Sequence, residues 1–452
     1  MTEKTHELKR SISLFGGISI LTGIMVGSGI FFVGSYVLAR TGYSSGMSLL
    51  AWILGGVIVL MYGLIYAELG AMWPEAGGYY VYLKKAFGKP LAFMSAFMNF
   101  MLASSGSIAA LAIAFSLILS NILFIVFELA LSTWVQIIIS IVMIAGLSFI
   151  NYLGIHIGAL MQKAFLIIKV IPIVFIILIG FIVGTNRVDV SLTYNGTVID
   201  ALIAIAFAVI ATFWAYEGWT NLNSVAGEVK RPGRNIPYAL IISIVSVTAL
   251  YVLYQFSLFS VLSVSELQAM ITDGNIYTGI DAAYVALGSV GMYLVMLTML
   301  ISVFGALNGS IIVFPRIYYA MSKDNIFFKS FTKVHKEYKT PYYAIIGSGV
   351  MATILLVFGL DELISLVAFA GLFFNIFIFI SLFIFRKRFP DKERPYKVWG
   401  YPVLPVVAII ISVILLFAIV YESPLTSLYG AIIILAGLPI YYLFKKINHL
   451  TD

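Results

Sequence analysis

Ile24-Met25-Val26-Gly27-Ser28-Gly29-Ile30-Phe31 lies near the centre of an apolar run, 12–39, that is long enough to cross a bilayer. Two glycines and a serine are poor helix formers. In hydrocarbon, the backbone groups that a broken helix frees cannot stay unpaired. A break at 27–29 is therefore tolerable only where it lines a cavity or meets a ligand. Such a place suits a zwitterion. The free amides after the break attract a carboxylate, and the carbonyl ends before it attract an ammonium. Interrupted helices at the membrane midplane are a recurring device of transporters. Gly23 and Gly27 also form a small-residue stripe of the kind that serves helix contact alone, and that reading stays open.

The rest of the chain has the same character. Of 452 residues, 62% are hydrophobic and 10% are charged, and the mean hydropathy is +1.05. Soluble domains carry about 25% charged residues. The apolar runs predict an all-α integral membrane protein of twelve transmembrane helices, near 12–39, 46–72, 90–122, 132–152, 157–184, 199–228, 237–262, 286–321, 341–359, 362–387, 401–421 and 424–446. No loop is long enough for a soluble domain. With no cysteine, thiol catalysis, cysteine metal sites and disulfides are excluded. The polar stretch Met1 to Arg10 lacks a cleavable signal pattern, so the first span is expected to be its own insertion signal.

The basic residues orient the chain. With the N-terminus in the cytoplasm, 22 of the 27 Lys and Arg fall in inside segments. These are Lys4, Lys9 and Arg10; Lys84, Lys85 and Lys89; Lys230, Arg231 and Arg234; Lys323, Lys329, Lys333, Lys336 and Lys339; Arg386, Lys387, Arg388, Lys392, Arg394 and Lys397; and Lys445 and Lys446. Outside loops hold only Arg40 and Arg187, while Lys163, Lys169 and Arg316 lie within spans. This bias predicts a cell-membrane protein with both termini cytoplasmic and an even number of spans. The basic loops read as headgroup anchors, not as a nucleic-acid surface.

A second interruption falls in span six, where 212–219 reads TFWAYEGW. Glu217 precedes Glu228 by 11 residues, about 16 Å along a regular helix. A carboxyl beside Gly218 at membrane depth is a functional candidate; a paired structural carboxyl is the alternative. Breaks in spans one and six match a five-plus-five inverted repeat. The expected units are 1–185 (helices 1–5, broken at 27–29), 199–388 (helices 6–10, broken near 215–218) and 400–447 (helices 11 and 12).

IMVGSGIF in span one, PEAGGYYVYLKKAFG (Pro74 to Gly88), FWAYEGW in span six and AGEVKRPGRNIPYAL (Ala226 to Leu240) follow one another in the order of a known family. They resemble the amino acid–polyamine–organocation superfamily over nearly the whole chain. Within it the chain is most similar to the L-amino-acid transporter family, and there to the bacterial serine/threonine or alanine/serine exchangers.

The resemblance implies the leucine-transporter-like inverted-repeat fold with two added helices. It also implies sodium-independent, one-for-one exchange of small neutral L-amino acids (Ala, Ser, Gly, Thr, Cys), without a cofactor or metal. By matching position, the substrate site would comprise Met25, Val26, Gly27, Ser28, Gly29, Trp214, Ala215 and Glu217. The amides of Ser28 and Gly29 would hold the carboxylate. Carbonyls near Met25, Ser28, Trp214, Ala215 and Glu217 would receive the ammonium, and Trp214 would be an outer gate. Animal relatives carry an external cysteine between spans three and four that links an ancillary subunit. The corresponding loop here, Asn121 to Leu131, has none, so no disulfide-linked partner is expected. The family often has glycine at the position of Glu217, whose larger side chain would narrow the pocket.

Lys169 stands 11 residues from both Gly158 and Gly180, about 16 Å from either end of its span. Its ammonium cannot snorkel that far and needs an internal partner. In the resembling family a lysine at this position takes the place of a structural sodium ion and couples occupancy to helix movement; a passive pin between helices is the other reading. Lys163, near a span end, reads as snorkelling. Tyr251 matches a tyrosine near the family's substrate site, and packing is its alternative. Ser104, Ser105 and Ser107 would line the side-chain pocket or serve helix contact.

Other classes find little support. His6, His156, His335 and His449 fall away from span centres, and there is no HExxH or GxSxG pattern. A channel would need a repeated filter or rings of like charge. Within transport the alternative is a proton-coupled symporter, using Glu217 or Lys169.

Overall fold

The computed structural model describes residues 10–27 and 29–448, with backbone alone at Ile155, His156, Ile157, Ala159 and Asp361. Ser28, His6 and His449 lie outside the described residues. The first apolar run folds as two helices, α1 (Leu14–Met25) and α2 (Gly29–Arg40), bent by 48°. There follow α3 (Ser45–Met72), a short α4 (Tyr79–Phe87), α5 (Lys89–Met98), a π-helical turn at Asn99–Ala103, α6 (Ser104–Phe127), α7 (Thr133–Tyr152) and α8 (Ile155–Val183). The second part holds α9 (Val198–Tyr216), α10 (Asn221–Ser224), α11 (Pro232–Val261), α12 (Val264–Thr272), α13 (Thr278–Val313), α14 (Pro315–Lys323), α15 (Tyr342–Ile354) and α16 (Leu360–Arg388). Two further helices close the chain, α17 (Val403–Glu422) and α18 (Pro424–Ile447).

Among the described residues, ten helices are long and apolar enough to cross a membrane, and the bent α1–α2 pair makes an eleventh. The remaining expected span is the shorter apolar segment Tyr342–Val357. Large apolar side chains stay exposed along the outer helices, such as Trp134, Val142 and Phe149 on α7 and Ile171 and Ile182 on α8. An apolar surface of that extent belongs in lipid.

Three features depart from the expected spans. Span six is helical only to Tyr216, then runs through an open stretch into the four-residue α10 and a 3₁₀ turn at Ala226–Glu228. The helical spacing between Glu217 and Glu228 therefore does not hold. Span three carries the π-helical turn, and span eight starts earlier, at Thr278, with a kink where Gly288 takes φ +63°.

The segments expected on one side of the membrane contact one another. At the basic face, the N–H groups of Ser11 and Ile12 donate to Glu228 O, and Lys230 N–H donates to Ile12 O at 2.8 Å. The Glu228 carboxylate takes the buried Arg316 guanidinium at 3.1 Å. Asp324 accepts from Lys84 and Tyr80. Buried Glu68 gathers Arg386 at 2.7 Å and the Val398 N–H at 2.7 Å. At the opposite face Arg40 pairs with Glu422, and Asn186 N–H donates to Ser260 O at 3.0 Å.

The core has a reciprocal pattern. α3 packs along α11; α1 packs on α11 as α9 packs on α3; α2 lies against α9; and α8 lies against α13 as α16 lies against α6. These pairings bring the two interrupted spans side by side at the centre of the molecule.

Candidate functional site

A helix end leaves its last carbonyls without intrahelical partners, and the end of α1 shows where they go. Gly27 N–H turns back to Met25 O at 2.8 Å, which frees Gly23 O from its usual partner. Lys169, midway along α8 and fully buried, sends its ammonium to Gly23 O and Val26 O, both at 2.6 Å. The cation thus sits on the negative end of the α1 dipole. Gly305 of α13 lies beside the lysine, and a Cβ there would stand 3.2 Å from the Phe165 Cβ.

The Tyr251 hydroxyl, on α11, lies 2.6 Å from Met25 O and 2.7 Å from Ala215 O. One phenol therefore reaches the carbonyl ends of both broken spans. Its ring is held edge-on to Trp52 and tilted against Tyr216, each at 5.2 Å. Tyr251→Phe keeps this packing and deletes the hydroxyl. It is expected to slow transport about 3- to 10-fold, the weight of one buried neutral hydrogen bond, as measured by initial rates in reconstituted vesicles.

The two breaks touch. A Cβ on Gly29 would stand 2.7 Å from the Ala215 Cβ and closer still to its Cα. Gly218 has φ +107°, and a Cβ there would stand 2.9 Å from the Ile24 Cβ. Glycine is required at both points, at one by the close approach and at the other by backbone conformation as well.

Three cavities meet around Glu217. The first, about 20 Å³, is at the break itself, walled by Met25, Gly27, Gly29, Ser107, Trp214, Glu217 and Asn221 among others. The second, about 80 Å³, runs among Tyr66, Tyr79, Ser95, Asn99, Ser104, Ser107, Glu217, Asn221 and Asn375. The third, about 130 Å³, includes Trp214, Glu217, Ile364 and Asn375 and ends at the Arg40–Glu422 pair. Trp214 stands between the first and the third.

Of the residues read from the sequence, Met25, Gly27, Gly29, Trp214 and Glu217 share the wall of the small cavity. Val26 and Ala215 turn their carbonyls to Lys169 and Tyr251. Ser28 lies outside the described residues. Ser104 and Ser107 reach the polar cavity. Ser105 instead donates to Phe100 O at 2.7 Å within the π-helical turn and does not reach it. Asn99, Tyr79, Asn221 and Phe314 were not anticipated. Asn99 is a lone amide within an apolar stretch, which is itself a signal of function at membrane depth. It donates to Ser95 O at 2.9 Å and accepts from Ser104 at 3.1 Å.

Two interrupted membrane helices, bridged by the Tyr251 hydroxyl, with a buried lysine on the end of the first and cavities beside both, have the architecture of a membrane transporter. The chain belongs to the amino acid permease family, whose model matches residues 12–444. It is 32% identical over 449 residues to the serine/threonine exchanger SteT of Bacillus subtilis (strain 168), covering 99% of both chains. It is 30% identical over 454 residues to the Homo sapiens b(0,+)-type amino acid transporter 1, covering 98% of this chain and 89% of the relative. It is 29% identical over 444 residues to the Homo sapiens cystine/glutamate transporter, covering 97% and 86%. The protein is an amino-acid transporter and not an enzyme.

Proposed function

We propose that the protein exchanges small neutral L-amino acids, one for one and without sodium, by alternating access at the paired breaks. The observation that carries this reading is the Lys169 ammonium on Gly23 O and Val26 O, both at 2.6 Å. A fixed cation there supplies the charge that a co-transported sodium ion would otherwise bring. The substrate carboxylate meets the amides at the start of α2, and its ammonium meets the carbonyl ends of α1 and α9. The name of the bacillar relative, a serine/threonine exchanger, agrees with a small substrate.

The same reading takes the two five-span units, 1–185 and 199–388, as inverted repeats followed by the helices of 400–447; the reciprocal packing of α1 on α11 and α9 on α3 supports it. Both termini are taken as cytoplasmic in the cell membrane, on the strength of the basic loops. A disulfide-linked ancillary subunit has no cysteine here to hold it.

Trp214 is taken as the outer gate, because it separates the cavity at the breaks from the one that ends at Arg40 and Glu422. Trp214→Ala should raise the apparent KM about 10-fold, as expected for loss of a large aromatic contact that excludes water. An unchanged KM in well-folded protein would remove the gate assignment.

Glu217, which borders all three cavities, draws attention to proton-coupled symport as the second reading. Vesicles separate the two. Exchange predicts uptake of labelled alanine into alanine-loaded vesicles at equal pH, with sodium replaced by choline. Symport predicts accumulation in empty vesicles when an inward proton gradient is imposed.

A further inference from the structure

Asn221 is a site residue whose carboxamide nitrogen the described residues leave unpaired. It is 3% exposed. Buried polar groups in native proteins are almost always paired, so an orphaned donor at a cavity wall marks where a ligand atom belongs. Asn221 borders both the cavity at the breaks and the polar cavity beside it. Glu217 stands on the same shared wall and supplies an acceptor. Further into the polar cavity, the Ser95 hydroxyl is buried and also has no partner among the described residues.

The placement of these groups says what they would meet. In the exchange reading the charged ends of the zwitterion lie on the backbone of the two breaks, and the wall shared by the two cavities is the one left to face its side chain. A side-chain hydroxyl there accepts from the Asn221 N–H on its oxygen and donates its O–H to a Glu217 carboxyl oxygen. An aliphatic side chain of the same shape leaves donor and acceptor unpaired, and a site built around a hydroxyl rejects such an analogue strongly. Threonine and valine are the matched pair, alike in volume and branching.

We infer that Asn221 is a specificity-determining residue that reads a hydroxyl on the substrate side chain, so that threonine is preferred to valine; this rests on the amino-acid exchange proposed above. The test uses the purified full chain in alanine-loaded liposomes, with labelled threonine or valine outside. The wild-type chain should prefer threonine by at least about 10-fold in kcat/KM. Asn221→Leu, close in size, should lower that ratio at least about threefold, with the Glu217 acceptor still in place. Asn221→Ala should move it in the same direction. Ligand-induced thermal stabilisation in detergent gives the same comparison for a variant that binds without turning over. Equal handling of threonine and valine by an actively exchanging wild-type chain overturns the inference alone, as does a wild-type ratio kept in either variant. Failure of the wild-type chain to exchange any amino acid overturns the exchange reading and this inference with it.

Discussion

Lys169→Met is expected to abolish exchange while leaving the protein in the membrane. The substitution keeps the stem that fills the space between α8 and α1 and deletes the ammonium. Gly23 O and Val26 O, each 2.6 Å from that nitrogen, then lose their donor at a depth where no water replaces it. Each orphaned carbonyl costs about 1–3 kcal/mol, and the end of α1 loses the cation that faces its dipole. In the alternating-access account α1 tilts between inward- and outward-open forms, and a lost tether biases one of them. Transport should fall at least about 100-fold, since about 3 kcal/mol taken from one state is worth that factor in its population. Substrate affinity should change more on one face of the membrane than on the other. Lys169→Ala adds a cavity to the same loss, so the difference between the two variants separates packing from charge. Parent-like transport by Lys169→Met would make the lysine a passive pin.

Gly29→Ala should be nearly as damaging, for a steric reason. The added methyl would occupy the space of Ala215, whose Cβ lies 2.7 Å from its position and whose Cα lies closer. The start of α2 and the end of α9 must then part, and the amides and carbonyls that face the substrate lose their register. A displacement of about 1 Å in such a constellation costs about 100-fold in rate, and overpacking adds about 1–3 kcal/mol of destabilisation. Gly146→Ala on α7, where a Cβ meets nothing within 4 Å, is the matched control and should behave as the parent. Initial rates of counterflow and thermal unfolding of the purified variants check both parts. Undiminished transport by Gly29→Ala would mean that the two breaks do not approach as described.

Much of this was legible in the sequence because lipid makes composition decisive. Backbone that leaves a helix within hydrocarbon must be functional or protected, so Gly27, Ser28, Gly29 and Gly218 announced the two breaks. Lys169 announced itself for the same reason, as a charge too deep to snorkel. The alternation of basic and non-basic loops matched the segments that cluster at the two faces, such as Ile12 with Lys230 and Asn186 with Ser260.

What was not legible depends on pairings across the chain or on departures from helical period. The π-helical turn at Asn99–Ala103 turns Ser105 back onto Phe100 O, and no period of 3.6 residues reveals such a register change. The short α4 and α12 lie between spans and carry too few residues to show a period. Asn221 sits in a segment that reads as the second half of span six, and only the collapse of that half to four helical residues brings its amide to the cavity wall. The Tyr251 hydroxyl joins residues 226 and 36 positions away, a contact that no local pattern encodes.

The central claim is coupled exchange, and a dual-label measurement tests it most directly. Purified protein is reconstituted into liposomes loaded with tritiated alanine, in choline buffer with the same pH on both sides. Carbon-14 serine is then added outside. The account predicts that alanine leaves only when serine is present, that one alanine leaves for each serine that enters, and that adding sodium changes neither number. Alanine efflux into substrate-free buffer at the same rate, or serine uptake that proceeds equally into empty vesicles, would contradict it.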